Sequence, residues 1–176
     1  MSIFSYSKTH AEYLSSADER LGAFIAKKGY IERSCFDDIF TGLCYNIVNQ
    51  QLSMKACETL WTKLCSSLGE VTPESCDDAE RLRACGLSQS KADCIARCAE
   101  LFRTGELSDA MLRAMSDSEV TERLTKIRGI GSWTAEMTLI FCLQRMDVLS
   151  LSDFGIRKGL SLLHGIDIKD TKASHV

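Results

Sequence analysis

Apolar residues recur along this chain at intervals of three and four, and the runs are broken by glycine and serine rather than proline. In 9–29, Tyr13, Leu14, Ala17, Leu21, Phe24 and Ile25 share a helical face. That run stops at Lys27-Lys28-Gly29, a basic last turn closed by a glycine. Residues 36–50 repeat the pattern with Ile39, Phe40, Leu43, Cys44, Ile47 and Val48. Ser53 is placed to cap a helix that runs through Leu68 to Gly69. Two further helices are predicted over 75–84 and 88–104, the second capped by Ser88 or Ser90 and ended by Thr104-Gly105. Residues 116–126 open with Ser116-Asp117-Ser118-Glu119, the pattern of a capping box. Helices over 132–145 and 153–164 complete the series. With no strand-like alternation, the pattern predicts an all-α fold.

Composition agrees with that picture. The chain has 176 residues, is 45% hydrophobic and 26% charged, and contains one proline. This is the balance of a soluble globular protein, long enough for one sizeable domain or two small lobes sharing a core. So few breakers suit helices better than a turn-rich β-sandwich. The start of the chain carries no basic segment followed by an apolar run, and no uninterrupted apolar stretch is long enough to span a bilayer, so a cytoplasmic protein without membrane contact is expected. Nine cysteines lie mostly among apolar neighbours, none in a C-x-x-C pair. Their odd number and spacing predict buried reduced thiols rather than a zinc site or a disulfide framework. The net charge of −3 lends no weight to nucleic-acid binding. Nor does it exclude it, because phosphate contacts depend on local clusters of Lys and Arg.

The chemistry is concentrated between Leu124 and Leu160. Ile127-Arg128-Gly129-Ile130-Gly131 separates two predicted helices, with Arg123, Lys126 and Arg128 clustered around it. Two glycines flanking an apolar residue make a tight turn in which Ile127 and Ile130 can be buried while the glycine amides face outward. The next helix adds its own unpaired N–H groups. Together they suit a phosphate. On the turn alone, a plain αα-corner explains the residues equally well.

The segment I-R-G-I-G-S-W-T-A, followed by D-V-L-S-L-S-D-F-G-I-R-K-G-L, resembles the signature of the helix-hairpin-helix (HhH-GPD) DNA glycosylase superfamily, in particular its DNA-3-methyladenine glycosylase II branch. Upstream, Ile47-Val48-Asn49-Gln50-Gln51-Leu52-Ser53 and Cys85-Gly86-Leu87-Ser88 with Lys91-Ala92 are similar to two further family segments. The resemblance covers about residues 35–165. It implies one glycosylase domain over 1–176, with a middle helical region (35–115) and a hairpin and catalytic segment (116–165), in two helical lobes around a cleft.

The resemblance also implies roles. Asp153 falls on the catalytic aspartate. Gly129, Gly131 and Trp133 fall where backbone amides face a DNA phosphate, with Arg128 and Thr134 beside them, and Gln51 falls on the residue that fills the gap left by a flipped nucleotide. Trp133, Met137 and Tyr45 are the expected base pocket. The carbonyls of Thr125, Ile127 and Ile130 fall where family members often hold Na⁺ or K⁺; no other cofactor is expected. Trp133 stands where bifunctional relatives carry the Schiff-base lysine, so a monofunctional enzyme is implied. The iron–sulfur cysteine loop of the endonuclease III branch is absent.

The implied reaction is release of alkylated purines from double-stranded DNA by base flipping, in a monomer associated with the nucleoid. A glycosylase for another damaged base, a catalytically impaired DNA-binding module and a helical interaction protein are the alternatives. The sequence departs from the family pattern in two places. Ser150 replaces a proline three residues before Asp153, which predicts a less rigid loop. After Gly165 the residues are polar and unpatterned where family members continue through W-x-P-x-R-S-x-A-x-x-Y-L-W. A C-terminally truncated member with a partly open pocket and exposed apolar surface is therefore expected.

Overall fold

The computed structural model describes residues 2–166. The polar tail from 167 on, with His175, lies outside the described residues, as would the C-terminal helices expected of the family. The described elements are β1 (Ser2–Ile3), α1 (Lys8–Ala17), α2 (Glu19–Lys28), β2 (Ser34–Cys35), α3 (Ile39–Asn49), α4 (Met54–Leu68), α5 (Ala79–Ala84), α6 (Gln89–Arg103), α7 (Asp109–Ala114), α8 (Asp117–Thr125), α9 (Ser132–Phe141) and α10 (Phe154–His164). The fold is helical, as the periodicity predicts. Among the described residues the one sheet is a pair of two-residue antiparallel strands, Ser2 opposite Cys35 and Ile3 opposite Ser34, too short to leave a signal in the sequence.

Most helix starts follow the side-chain chemistry. Ser53, Ser88 and Ser116 accept amide hydrogen bonds from the first turns of α4, α6 and α8. Glu119 reaches back to the Ser116 amide at 2.8 Å and completes the capping box. The single helix expected over 9–29 is two helices instead. Asp18 ends α1 in an extended conformation and accepts the Leu21 amide at 3.0 Å to start α2. The six-residue α7, capped by Ser108, was not predicted. One turn and a half is too short for a periodic signal.

The chain divides into two compact units. The larger, Phe36–Val148, holds α3 to α9. Its core is built on α3, whose Ile39, Phe40, Leu43, Cys44, Ile47 and Val48 are all buried. Packed with them are Ile95, Cys98 and Ala99 of α6, Val120 and Leu124 of α8, and Ala135 and Leu139 of α9. Fully burying one Leu or Ile side chain contributes about 1.5–3 kcal/mol. All nine cysteines are free thiols, eight buried and Cys65 half-buried.

The smaller unit comprises 1–35 and 149–176. In its described part, Tyr6 stacks on Tyr30 at 4.7 Å. His164 Nε2 lies 3.2 Å from Asp18 Oδ2, and Arg20 donates to the His164 carbonyl at 2.9 Å. These bonds tie the end of α10 to the start of α2. The Leu21 amide, helped by His164 and Arg20, holds the Asp18 carboxyl below its ordinary value. No described helix is long and apolar enough to cross a membrane.

Candidate functional site

The turn between α8 and α9 has the geometry its residues predict. Ile127 and Ile130 are buried, while Arg128, Gly129, Gly131 and Ser132 are exposed. The Ile127 amide closes the end of α8 on the Leu124 carbonyl, and the Ile130 amide donates to the Ile127 carbonyl, each at 3.0 Å. Gly129 sits at φ +99°, and a Cβ there would lie 2.9 Å from Cys94 Sγ. Both facts require glycine. Gly131 is extended, and a Cβ on it would meet nothing within 4 Å. Its bare backbone leaves open space on the exposed side of the turn. Gly131 also starts α9 without a side-chain cap. The helix therefore opens with backbone amides and the positive end of its dipole at the glycines.

The basic cluster expected around this turn is smaller than the sequence suggests. Arg123 donates to the Glu106 carbonyl at 2.8 Å, and Lys126 pairs with Glu122 at 2.7 Å. Arg128 is exposed, and its side chain makes no hydrogen bond or ion pair among the described residues.

What holds the turn against the end of α3 is a polar ladder that the sequence reading missed. Gln50 Nε2 donates to the Gly129 carbonyl at 3.0 Å and to Thr134 Oγ1 at 2.9 Å. One turn earlier on α3, Asn46 Nδ2 donates to Thr138 Oγ1 at 3.4 Å, and Thr138 Oγ1 donates to the Thr134 carbonyl at 2.8 Å. Asn46 and Gln50, the C-cap of α3, are four apart, as are Thr134 and Thr138, which share one face of α9. Lys91 Nζ then donates to the carbonyls of Val48 and Gln50 at 2.7 and 2.8 Å, closing the end of α3. Burial holds the Lys91 ammonium below its ordinary value. The three resembling segments thus meet physically: Gln50 from the first, Lys91 from the second, Gly129 and Thr134 from the third. The i, i+4 spacing of Asn46 and Gln50 was the available signal.

Thr134 changes its reading. Its side chain is buried and accepts from Gln50, so what it can offer a phosphate is its backbone amide, at the third position of α9. Thr125 ends α8, with its hydroxyl donating to the Thr121 carbonyl at 2.7 Å. Gln51 is exposed and held at φ +57°, an uncommon conformation for a residue with a Cβ. Met137 is buried and Trp133 half-buried on α9. Tyr45 is half-buried between two rings that the sequence reading did not single out, Phe36 and Trp61, each with its centroid 5.2 Å away. Burial is the main cause that pushes its phenol up to about 12, with Cys57 adding to it.

In the smaller unit, Asp153 is the N-cap of α10, and its Oδ1 accepts the Ile156 amide at 2.9 Å. The carboxylate is half-buried. Ser150, which stands where the resemblance has a proline, lies in the loop that leads to Asp153. It is buried, its carbonyl accepts the Asp153 amide at 3.1 Å, and its hydroxyl lies 3.4 Å from that of Ser152. Among the described residues, no group of three or more His, Cys, Asp or Glu side chains is assembled that could hold a metal ion.

A glycine turn that buries its isoleucines between two helices and turns bare amides outward defines a helix-hairpin-helix protein. The chain matches the family described as HhH-GPD superfamily base excision DNA repair protein over residues 44–175, and it belongs to that family. It is 39% identical over 132 residues to DNA-3-methyladenine glycosylase 1 of Schizosaccharomyces pombe, covering 72% of this chain and 58% of that relative. The chain therefore spans less than two thirds of that protein. A solved Schizosaccharomyces pombe 3-methyladenine DNA glycosylase, in complex with abasic DNA, superposes with a TM-score of 0.82 at 33% identity, covering 90% of this chain and 81% of that one. A DNA-3-methyladenine glycosidase from Bacillus halodurans gives 0.80 at 34% identity, covering 97% and 82%.

Proposed function

We propose that this protein is a monofunctional DNA glycosylase that hydrolyses the N-glycosidic bond of alkylated purines, of the 3-methyladenine and 7-methylguanine type, in double-stranded DNA. The observation that carries the reading is the Gly129–Gly131 turn, fixed by Gln50 and open on its amide side. A phosphate there accepts the amides of Gly131, Trp133 and Thr134, with Arg128 alongside, without reading sequence. The relatives named as DNA-3-methyladenine glycosylases support the choice of substrate class.

Flipping a damaged base costs a few kcal/mol. The hairpin's grip and Gln51, inserted into the vacated stack, offset that cost. Alkylation gives the purine a positive charge, so the enzyme has little need to protonate the leaving group. The bond from the sugar C1′ to the purine nitrogen breaks with its electron pair going to the base. Positive charge develops on the sugar, and the Asp153 carboxylate stabilises it. A water oxygen then bonds to C1′, and Asp153 takes its proton. Trp133, Met137 and the neutral phenol ring of Tyr45 supply the pocket, where aromatic faces attract a cationic base. Without a lysine amine at 133 no Schiff base forms, and the product is an abasic site in an intact strand.

The carbonyls of Thr125, Ile127 and Ile130, neutral oxygen donors at the turn, are the ones we assign to a cation. They suit a hard monovalent ion such as Na⁺ or K⁺, and no catalytic step passes through it. We propose that the enzyme acts as a monomer, in the cytoplasm with the nucleoid DNA.

The test is incubation with methylated duplex DNA. Wild type is expected to release 3-methyladenine and 7-methylguanine and to leave alkali-labile sites in unbroken strands. Asp153→Asn should lose about 10²–10³-fold in rate while still binding abasic DNA. Release of uracil or an oxidised purine instead would move the substrate class. Salt-dependent DNA binding with no base released by either form would reduce the protein to a binding module.

A further inference from the structure

The proposed reaction uses the hairpin, Gln51 and Asp153, and it leaves a second basic feature without a role. Beside α4 lies an open groove of about 500 Å³, lined by Lys55, Ala56, Thr59, Leu60, Lys63 and Gly86 among others. Between the lysines its lining is mostly apolar, with the Ala56 methyl and the Leu60 side chain beside Thr59 and the bare backbone of Gly86. Lys55 and Lys63 are exposed, and neither side chain makes an ion pair or hydrogen bond among the described residues. The acidic Glu58 of the same helix is not among the lining residues.

Two details of the chain fit an anionic occupant. Lys55 sits in the first turn of α4, where the helix dipole disfavours a cation. An anion across the groove would relieve that disfavour. Gly86 is held at φ +103°, and a Cβ on it would come within 3.4 Å of Leu60 Cδ1 and 3.6 Å of Lys63 Nζ. The Lys63 ammonium therefore reaches over the turn into space that any side chain at 86 would occupy.

The lysines are eight residues apart, roughly 12 Å along the helix axis. One strand of B-DNA presents a phosphate at about every 3.4 Å of rise, so a short run of backbone meets both. We infer that this groove is a second DNA-backbone site. It takes sugars against Ala56, Leu60 and Gly86 and phosphates against Lys55 and Lys63, and it adds a sequence-independent grip to that of the hairpin. The groove begins just after Gln51 in the chain, so this grip acts on DNA next to the proposed flipped nucleotide. The inference rests on the DNA-binding reading above.

The experiment is fluorescence anisotropy on an undamaged duplex two helical turns long, titrated over a range of salt concentrations. Removing two phosphate contacts lowers the slope of log K against log salt by about 1.8. Lys55→Gln combined with Lys63→Gln is expected to show that loss, with the thermal midpoint unchanged because both side chains are exposed. Lys8→Gln combined with Lys27→Gln, which removes the same charge from α1 and α2, is expected to keep the wild-type slope. The groove is overturned if its double variant keeps the wild-type slope, or if the control pair loses as much, since the effect would then be net charge alone. A wild-type protein that shows no salt-dependent binding overturns the glycosylase reading itself. If Arg128→Gln weakens binding while the groove variant does not, only the groove is refuted.

Discussion

Gly129 combines two restrictions that act on the same atom. Its backbone at φ +99° is one that side chains rarely adopt, and the Cys94 sulfur occupies the space a Cβ would need. A strained backbone position costs of order 1–3 kcal/mol. Gly129→Ala is therefore expected to lower stability by about 1–3 kcal/mol, read as a shift in the urea midpoint, and to weaken abasic-DNA binding because the turn must open. An alanine variant with wild-type stability and affinity would show that the turn tolerates a Cβ. The sequence revealed this glycine, because spacing and residue type suffice to mark a tight turn. Asp153 was legible as a match to the family aspartate at the start of a helix, and its N-cap role is compatible with that: the bond from the Ile156 amide orients a carboxylate proposed to work at its other face. The full role of Ser150 was not legible. Its burial, and the bond its carbonyl accepts from the Asp153 amide, are visible only once the tertiary structure is in place.

Between elements, the ties are polar and distant in sequence. The hydrogen bonds from Gln50 cross 79 and 84 residues, and those from Lys91 cross 43 and 41. The i, i+4 spacing of Asn46 and Gln50 marks a shared face but not its partners, so nothing in the sequence paired Gln50 with Thr134 or Lys91 with the end of α3. The same blindness split the helix expected over 9–29, since Asp18 suits an N-cap as well as a helix interior until its partner amide is known. Removing Gln50 should expose the importance of the ladder. Gln50→Ala leaves the buried Thr134 hydroxyl without its donor, a loss of about 1–3 kcal/mol. The expected result is a lower urea midpoint together with weaker binding to abasic DNA, because the Gly129 carbonyl is no longer held. Gln50→Glu separates the two effects: it fills the same volume but cannot donate to the carbonyl, so affinity should remain low even if packing is restored. Unchanged affinity in both variants would mean the turn is held by its isoleucines alone.

At the scale of the molecule, the two units are built to different standards. Eight of the eleven residues of α3 are buried, whereas α1, α2 and α10 contain no buried residue. Tyr13, Phe154 and Leu162 are 71%, 68% and 79% exposed. Hydrophobic periodicity marked all of these segments as helices but could not grade their burial, because it reports that a face is apolar and not whether anything covers it. The division between Val148 and Leu149 falls inside a segment that reads as one continuous signature, so it too was invisible in the sequence. The proposed machinery is thereby divided: the phosphate-binding turn belongs to the better-packed unit, and Asp153 belongs to the other. Opening free energies follow buried apolar contacts and protected hydrogen bonds. Native-state hydrogen exchange should therefore find the amides of α10, α1 and α2 opening together at a free energy below that of α3, α6 and α9, which should exchange only with global unfolding. If the glycosylase reading is correct, abasic DNA should slow exchange in α10 as well as at the Gly129–Gly131 turn, since ligand that engages Asp153 stabilises the unit carrying it. Equal protection in both groups of helices without DNA would contradict the packing argument. Protection of the turn alone when DNA is added would remove Asp153 from the reacting centre.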